Sequence, residues 1–187
     1  MQNVRSLAAA TALLVAFAAP AKEVNGVQVQ DTVTAEGKTL KLNGAGLRKK
    51  FIFDVYVGAL YVEEPSKDAA TILGKDGVRR VEMHMLRDLQ KEQIVEAIKE
   101  GFEKNSKDKL PALKDRLDKF IAQMPEKVTK GQVLKLTYVP GKGTTVTGEG
   151  EKAQIEGKDF ADALFSVWLG AHPVDDNLKK GMLGIAD

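Results

Sequence analysis

Gly44-Ala-Gly-Leu-Arg48-Lys-Lys-Phe-Ile-Phe-Asp54-Val-Tyr56-Val-Gly-Ala-Leu-Tyr-Val62 is the stretch on which the fold of this chain turns. Its second half, residues 51–62, is strand-length and rich in aromatic and β-branched residues. It is apolar on both alternating faces, with Phe51, Phe53, Val55, Val57, Ala59 and Tyr61 on one and Ile52, Tyr56, Leu60 and Val62 on the other. A strand apolar on both sides belongs in mid-sheet, covered above and below. Its one charge, Asp54, shares a face with Tyr56 and with the gap at Gly58, an arrangement from which a lined pocket can start. Upstream, Gly44 and Gly46 predict a sharp turn that places Arg48 at the entry to the strand, where a guanidinium is suited to hold an anion.

Around this stretch the chain reads as one α+β domain. Its 187 residues suffice for one core and are short for two. Hydrophobic content of 43% and a net charge of +2 describe an ordinary globular composition, with nothing that points to nucleic acid or an acidic membrane surface. With no cysteine and only His84 and His172, disulfides and thiol chemistry are excluded, and a zinc site would need carboxylates. No cofactor is expected.

Residues 1–21 read as an export signal. Arg5 supplies the positive region, residues 7–19 an apolar run too short for a comfortable membrane span, and Ala19-Pro20-Ala21 the cleavage site. The expected mature domain is 22–187, periplasmic or secreted, with no stable membrane insertion.

In chain order, residues 24–34 and 38–42 predict two strands ahead of the central one, and residues 69–73 a short helical turn. Residues 79–86 alternate cleanly, with Val81, Met83 and Met85 inward and Glu82 and His84 outward, so His84 reads as a solvated strand residue. Asp88 predicts the cap of a helix reaching about Lys104, with Ile94, Ile98, Gly101 and Phe102 on one face. A second helix carries Pro111 in its first turn and Leu113, Leu117 and Phe120 at helical spacing. Residues 128–139, 144–147 and 153–156 predict a meander; Gly141-Lys-Gly-Thr144 lacks the phosphate-loop spacing and reads as a hairpin turn. Asp159 predicts the cap of a helix closed by Gly170, and Asp175 that of a last short helix.

Two blocks carry a resemblance. Gly44-Ala-Gly-Leu-Arg48 with Val55-Tyr-Val-Gly-Ala-Leu-Tyr61, and residues 157–170 running into His172-Pro-Val and Leu178-Lys-Lys-Gly-Met-Leu-Gly184, resemble the chalcone isomerase-like proteins, in particular their bacterial exported branch. The resemblance implies a mostly antiparallel sheet with helices packed on one side and a cleft between. The family includes plant enzymes that close chalcones into flavanones, and non-catalytic relatives, among them plastid proteins that bind fatty acids. Of five groups the enzymes use, Arg48 matches the arginine that holds the phenolate. The strand threonine position falls on Tyr56 and the late threonine position on Val167, while residues 88–104 contain no tyrosine and no asparagine. A valine donates nothing to a developing enolate, which weighs against ordinary chalcone chemistry. In the fatty-acid-binding branch the strand position is a tyrosine that pairs with the arginine, as Tyr56 does here.

The resemblance therefore implies a non-catalytic binder of a small amphipathic acid. Its expected ligand residues are Arg48, Tyr56, Ile94, Ile98, Val167 and Trp168, with Ile52 and Leu60 also facing the acyl chain. An intramolecular lyase or isomerase using Arg48, and a partner-binding module with a vestigial cleft, stand as alternatives. Arg48 also reads as a turn cap or surface ion-pair member, Tyr56 as a core tyrosine, and Met83, Met85 and Trp168 as core. Asp54 is placed to neutralise Arg48. An extended strand separates Arg48 from Tyr56 by roughly 26 Å, so the two meet only if the chain bends between Arg48 and Phe51.

Overall fold

The computed structural model describes residues 21–147 and 154–185. Two short hairpin strands, β1 (Ala21–Val24) and β2 (Val27–Gln30), precede β3 (Thr32–Ala35), β4 (Lys38–Lys50) and β5 (Phe53–Val62). Helix α1 (Ala69–Gly74) leads to β6 (Arg79–Met85), the two-residue β7 (Leu89–Gln90) and α2 (Lys91–Ser106). A 3-10 turn, Lys107–Lys109, joins α2 to α3 (Leu110–Ala122). Then come β8 (Lys127–Val128), β9 (Val133–Val139), β10 (Gly143–Thr147), α4 (Lys158–Leu169) and α5 (Asp176–Met182).

The main sheet has six strands in the order β10-β9-β6-β5-β4-β3, every pair antiparallel. Strand β5 lies inside it and is covered on both faces, as its two-sided apolar pattern predicts. One face carries Tyr56, Leu60, Val81, Met83 and Leu136 against the helices, notably Ile98, Phe102, Leu164 and Trp168. The other carries Val57, Ala59 and Tyr61 against Val29 of the β1–β2 hairpin. The α+β class and the helix-covered antiparallel sheet therefore hold.

Local structure departs from the sequence expectation at informative places. Phe51 and Ile52 are not core: they form the two-residue loop of the β4–β5 hairpin and are 89% and 87% exposed. Gly44 and Gly46 do not turn the chain. They lie within β4, where α5 crosses so closely that a Cβ on Gly44 would overlap the Gly181 carbonyl oxygen and lie 2.8 Å from Gly184 N. The Gly58 gap is filled, because a Cβ there would stand 2.7 Å from Met182 Cε of α5. Gln90, not Asp88, caps α2; Asp88 instead holds Lys127 Nζ at 2.7 Å and the Lys130 amide at 2.9 Å. Helix α4 starts from Gly157, and Asp159 pairs with Arg116. Glu82 is buried and His84 half-buried beside it at 3.6 Å, so His84 is not simply solvated. Ala21, the last residue of the expected leader, pairs with Gln30; the rest of that leader and the turn at residues 148–150 lie outside the described residues.

Candidate functional site

Hairpin geometry brings Arg48 and Tyr56 together. The chain reverses at Phe51 and Ile52, and Arg48 then faces Tyr56 directly across the β4–β5 ladder. The guanidinium carbon lies 5.5 Å from the phenol ring centroid, a cation–π distance. Between this pair and the next, Lys49 with Asp54, the register shifts and β5 carries one extra residue, Val55. The bulge turns Val55 into the helix-covered core, away from the alternation that put it with Val57. Asp54 stays exposed and pairs with Lys49 at 3.6 Å, so it does not neutralise Arg48.

Tyr56 is 2% exposed, and its hydroxyl accepts a 2.9 Å hydrogen bond from the Trp168 indole N–H. Burial pushes the phenol pKa up, opposed by the Arg48 charge and the Trp168 hydrogen bond. Tyr56 is therefore a neutral phenol with a proton to give, and no acceptor among the described residues takes it. Arg48 Nε is also buried without a partner, and no described carboxylate forms an ion pair with this guanidinium. The carboxylate of Asp175 is committed elsewhere: it accepts from the amides of Lys49, Asn177 and Leu178 and caps α5. Arg48 Nε and the Tyr56 O–H thus lack an acceptor among the described residues, while the Tyr56 oxygen accepts from Trp168 and faces the Arg48 guanidinium.

Arg48 stands between two spaces. Inward is a cavity of about 10 Å³ that touches Arg48, Tyr56, Ile94, Ile98, Val167 and Trp168, together with Met83 and Met85. Outward is a polar recess of about 60 Å³ bordered by Arg48, Glu100, Lys104 and His172. All six expected ligand residues converge on the inner cavity. Ile52 points to solvent at the hairpin tip, and Leu60 is buried away from this space. Leu89, Ala97 and Val174 also line it; Leu89 and Val174 sit outside the helical periodicity that pointed to Ile94 and Ile98. The cavity has room for about one water. Its walls are close because α2 meets α4 tightly: a Cβ on Gly101 would lie 2.7 Å from Val167 Cγ2.

The helix does contain one asparagine, since α2 extends to Ser106 and includes Asn105. Its amide donates to the Gly101 and His172 carbonyls and accepts from the His172 N–H, which fastens the 170–172 loop and keeps it out of the cavity. No group of His, Asp or Glu among the described residues is arranged to hold a metal. Arg48 and Tyr56 supply donors suited to an anion at a space with room for about one water, and no carboxylate or imidazole among the described residues lines that space.

The curled antiparallel sheet with helices over one face is the chalcone isomerase-like fold. A family model for chalcone isomerase-like proteins matches residues 21–184, and the chain belongs to that family. Among solved structures it is similar to an Arabidopsis thaliana fatty-acid binding protein, at 17% identity and a TM-score of 0.61 over 84% of this chain and 92% of that one. At that identity the likeness speaks for the fold. No curated protein matches the chain.

Proposed function

We propose that this protein binds a small amphipathic acid without transforming it, the carboxylate received by Arg48 and Tyr56 and the apolar tail by the space between the sheet, α2 and α4. The observation that carries this reading is the pairing of two buried donors, Arg48 Nε and the Tyr56 hydroxyl, with no acceptor among the described residues. A buried donor left unpaired costs about 1–3 kcal/mol, and a carboxylate satisfies both at once through charge-assisted bonds. The Arabidopsis thaliana fatty-acid binding protein of the same fold is in keeping with this chemistry. With about 10 Å³ available, the tail enters only as α2 parts from α4, each buried methylene then contributing about 0.8 kcal/mol against that opening.

The small cavity favours one other reading, a partner-binding module whose cleft has closed. Isomerase chemistry is the weakest of the three, since Val167, at the expected late threonine position, offers no donor. Export belongs to the same proposal: the first residue of protein recovered outside the cytoplasm would be Lys22.

Native mass spectrometry with lipid extraction, on wild type and Arg48→Ala, tests the binding reading, together with titration of lauric and palmitic acid followed by Trp168 fluorescence. A co-purifying or titrated acid that is lost in Arg48→Ala is expected. An empty protein whose Trp168 emission ignores both acids would move the assignment to the partner-binding module.

A further inference from the structure

The loop of the β4–β5 hairpin is unlike the other two-residue hairpin loops among the described residues. Val24 with Val27 and Ala35 with Lys38 close hairpins through Asn25-Gly26 and Glu36-Gly37, polar residues and glycines at positive φ. Lys50 with Phe53 closes the third through Phe51-Ile52, and Phe51 takes φ 57°, a left-handed conformation that bulky residues rarely adopt. A phenylalanine held there is strained, and it gains nothing from the core because it is 89% exposed. Ile52 beside it is 87% exposed and Phe53 51%. These three, with Ile185, are the exposed large hydrophobic residues among those described.

Basic side chains flank this apolar tip. Lys49 and Lys50 precede it and are exposed, and the exposed Arg87 guanidinium lies 4.6 Å from the Phe53 ring centroid. Of the acids nearest in the chain, Asp54 is paired with Lys49, and Asp88 with Lys127 and the Lys130 amide. Three cations, Lys49, Lys50 and Arg87, thus flank three apolar side chains, against Asp54 on Lys49 and Glu100 within electrostatic reach of Lys50. That pairing of apolar wedge and cationic collar matches the interfacial zone of an anionic bilayer, where rings and aliphatic side chains enter the headgroup boundary and lysines and arginines meet phosphates. No described helix is long and apolar enough to cross a membrane.

We propose that the β4–β5 hairpin tip, Phe51, Ile52 and Phe53 collared by Lys49, Lys50 and Arg87, docks this protein on an anionic lipid surface. The inference does not depend on what the cleft holds.

The test places a tryptophan at the tip, Phe51→Trp, in protein isolated from expression of the full chain. Vesicles of phosphatidylcholine, or of equal parts phosphatidylcholine and phosphatidylglycerol, carry brominated acyl chains that quench an inserted indole. The wild-type protein is its own control, because its one tryptophan, Trp168, is buried and hydrogen-bonded to Tyr56. Expected are quenching of the tip indole by the anionic vesicles only, and at least about a tenfold loss of vesicle partition when Lys49→Glu and Lys50→Glu are added. Ile52→Trp provides the same readout should Phe51→Trp disturb the strained loop. Two unquenched tip tryptophans in folded protein would overturn the proposal. So would a concentration-dependent blue shift without vesicles, which would assign the tip to a second copy of the chain.

Discussion

The indole of Trp168 in α4 donates a 2.9 Å hydrogen bond to the hydroxyl of Tyr56 in β5, tying α4 to the centre of the sheet in a fully buried setting. Removing one partner leaves the other with an unmet polar group. Trp168→Phe is expected to destabilise the fold by about 2–4 kcal/mol, from the lost bond and the smaller ring together. Tyr56→Phe should cost about 1–3 kcal/mol, since the indole N–H then has no acceptor. Urea melts of the two single variants and the double variant check this, and the double is expected to cost less than the sum of the singles.

Helix α5 sits against β4 through glycines on both sides. A Cβ on Gly181 would lie 2.6 Å from Gly46 Cα and 2.7 Å from Ala45 O, and one on Gly44 would collide with the α5 backbone. These neighbours are backbone atoms and cannot swing away. Gly44→Ala and Gly181→Ala are each expected to cost about 3 kcal/mol, at the upper end of overpacking. Gly74→Ala, with open space around it, should be neutral or gain up to about 1 kcal/mol. Thermal unfolding of the three variants separates close approach from a general intolerance of substitution.

That close approach shows where the sequence was legible and where it was not. The alternation of Val81, Met83 and Met85 and the spacing of Leu113, Leu117 and Phe120 placed β6 and α3 correctly, because side-chain periodicity records which face is buried. Asp175 marked its helix start correctly, since its carboxylate accepts from two local amides. Gly44 and Gly46 read as a turn because local rules see glycine as punctuation, whereas their role is to admit a helix from far along the chain. Phe51 and Ile52 read as strand because no Gly, Asn or Pro marks the reversal there. Asp88 and Asp159 read as caps, yet their oxygens go to Lys127 and Arg116, partners no local pattern reveals. The six expected ligand residues do meet, while the size of the space among them depends on interdigitation that residue types do not specify.

Arg79 is the anchor of α1. Only 2% exposed, it donates to the carbonyls of Ile72 and Leu73 at 3.2 Å and of Lys75 at 3.4 Å, and pairs with Asp162 of α4. The rings of Tyr138 and Phe165 flank the guanidinium at 5.0 and 4.8 Å. Arg79→Met removes the donor to the Ile72 and Lys75 carbonyls, leaving Leu73 O to Lys158 Nζ, and is expected to cost about 3 kcal/mol. Arg79→Lys should recover little, because one ammonium cannot reproduce the planar fork. Denaturant melts decide it; a lysine variant as stable as wild type would show that charge alone is what α1 requires.

All three tyrosines of the chain resist ionisation in the folded state. Burial is the largest cause for each. The Glu82 charge reinforces it at Tyr61, and the hydrogen bond to Asp76 reinforces it at Tyr138. The hydroxyls of Tyr61 and Tyr138 donate to Gln30 O at 2.9 Å and Asp76 Oδ1 at 2.6 Å, which only the neutral phenol can do. Unfolded tyrosine ionises near pH ~10. Below that value both states keep their protons and the stabilisation is fully present. Above it the unfolded chain releases protons that the folded chain retains, so stability falls by up to about 1.4 kcal/mol per pH unit for each phenol. Tyrosinate ultraviolet absorbance is therefore expected to lag behind free tyrosine above pH ~10 and then to rise in one step with the loss of Trp168 fluorescence. A gradual rise that follows free tyrosine while Trp168 stays buried would show that the three hydroxyls open to solvent without unfolding.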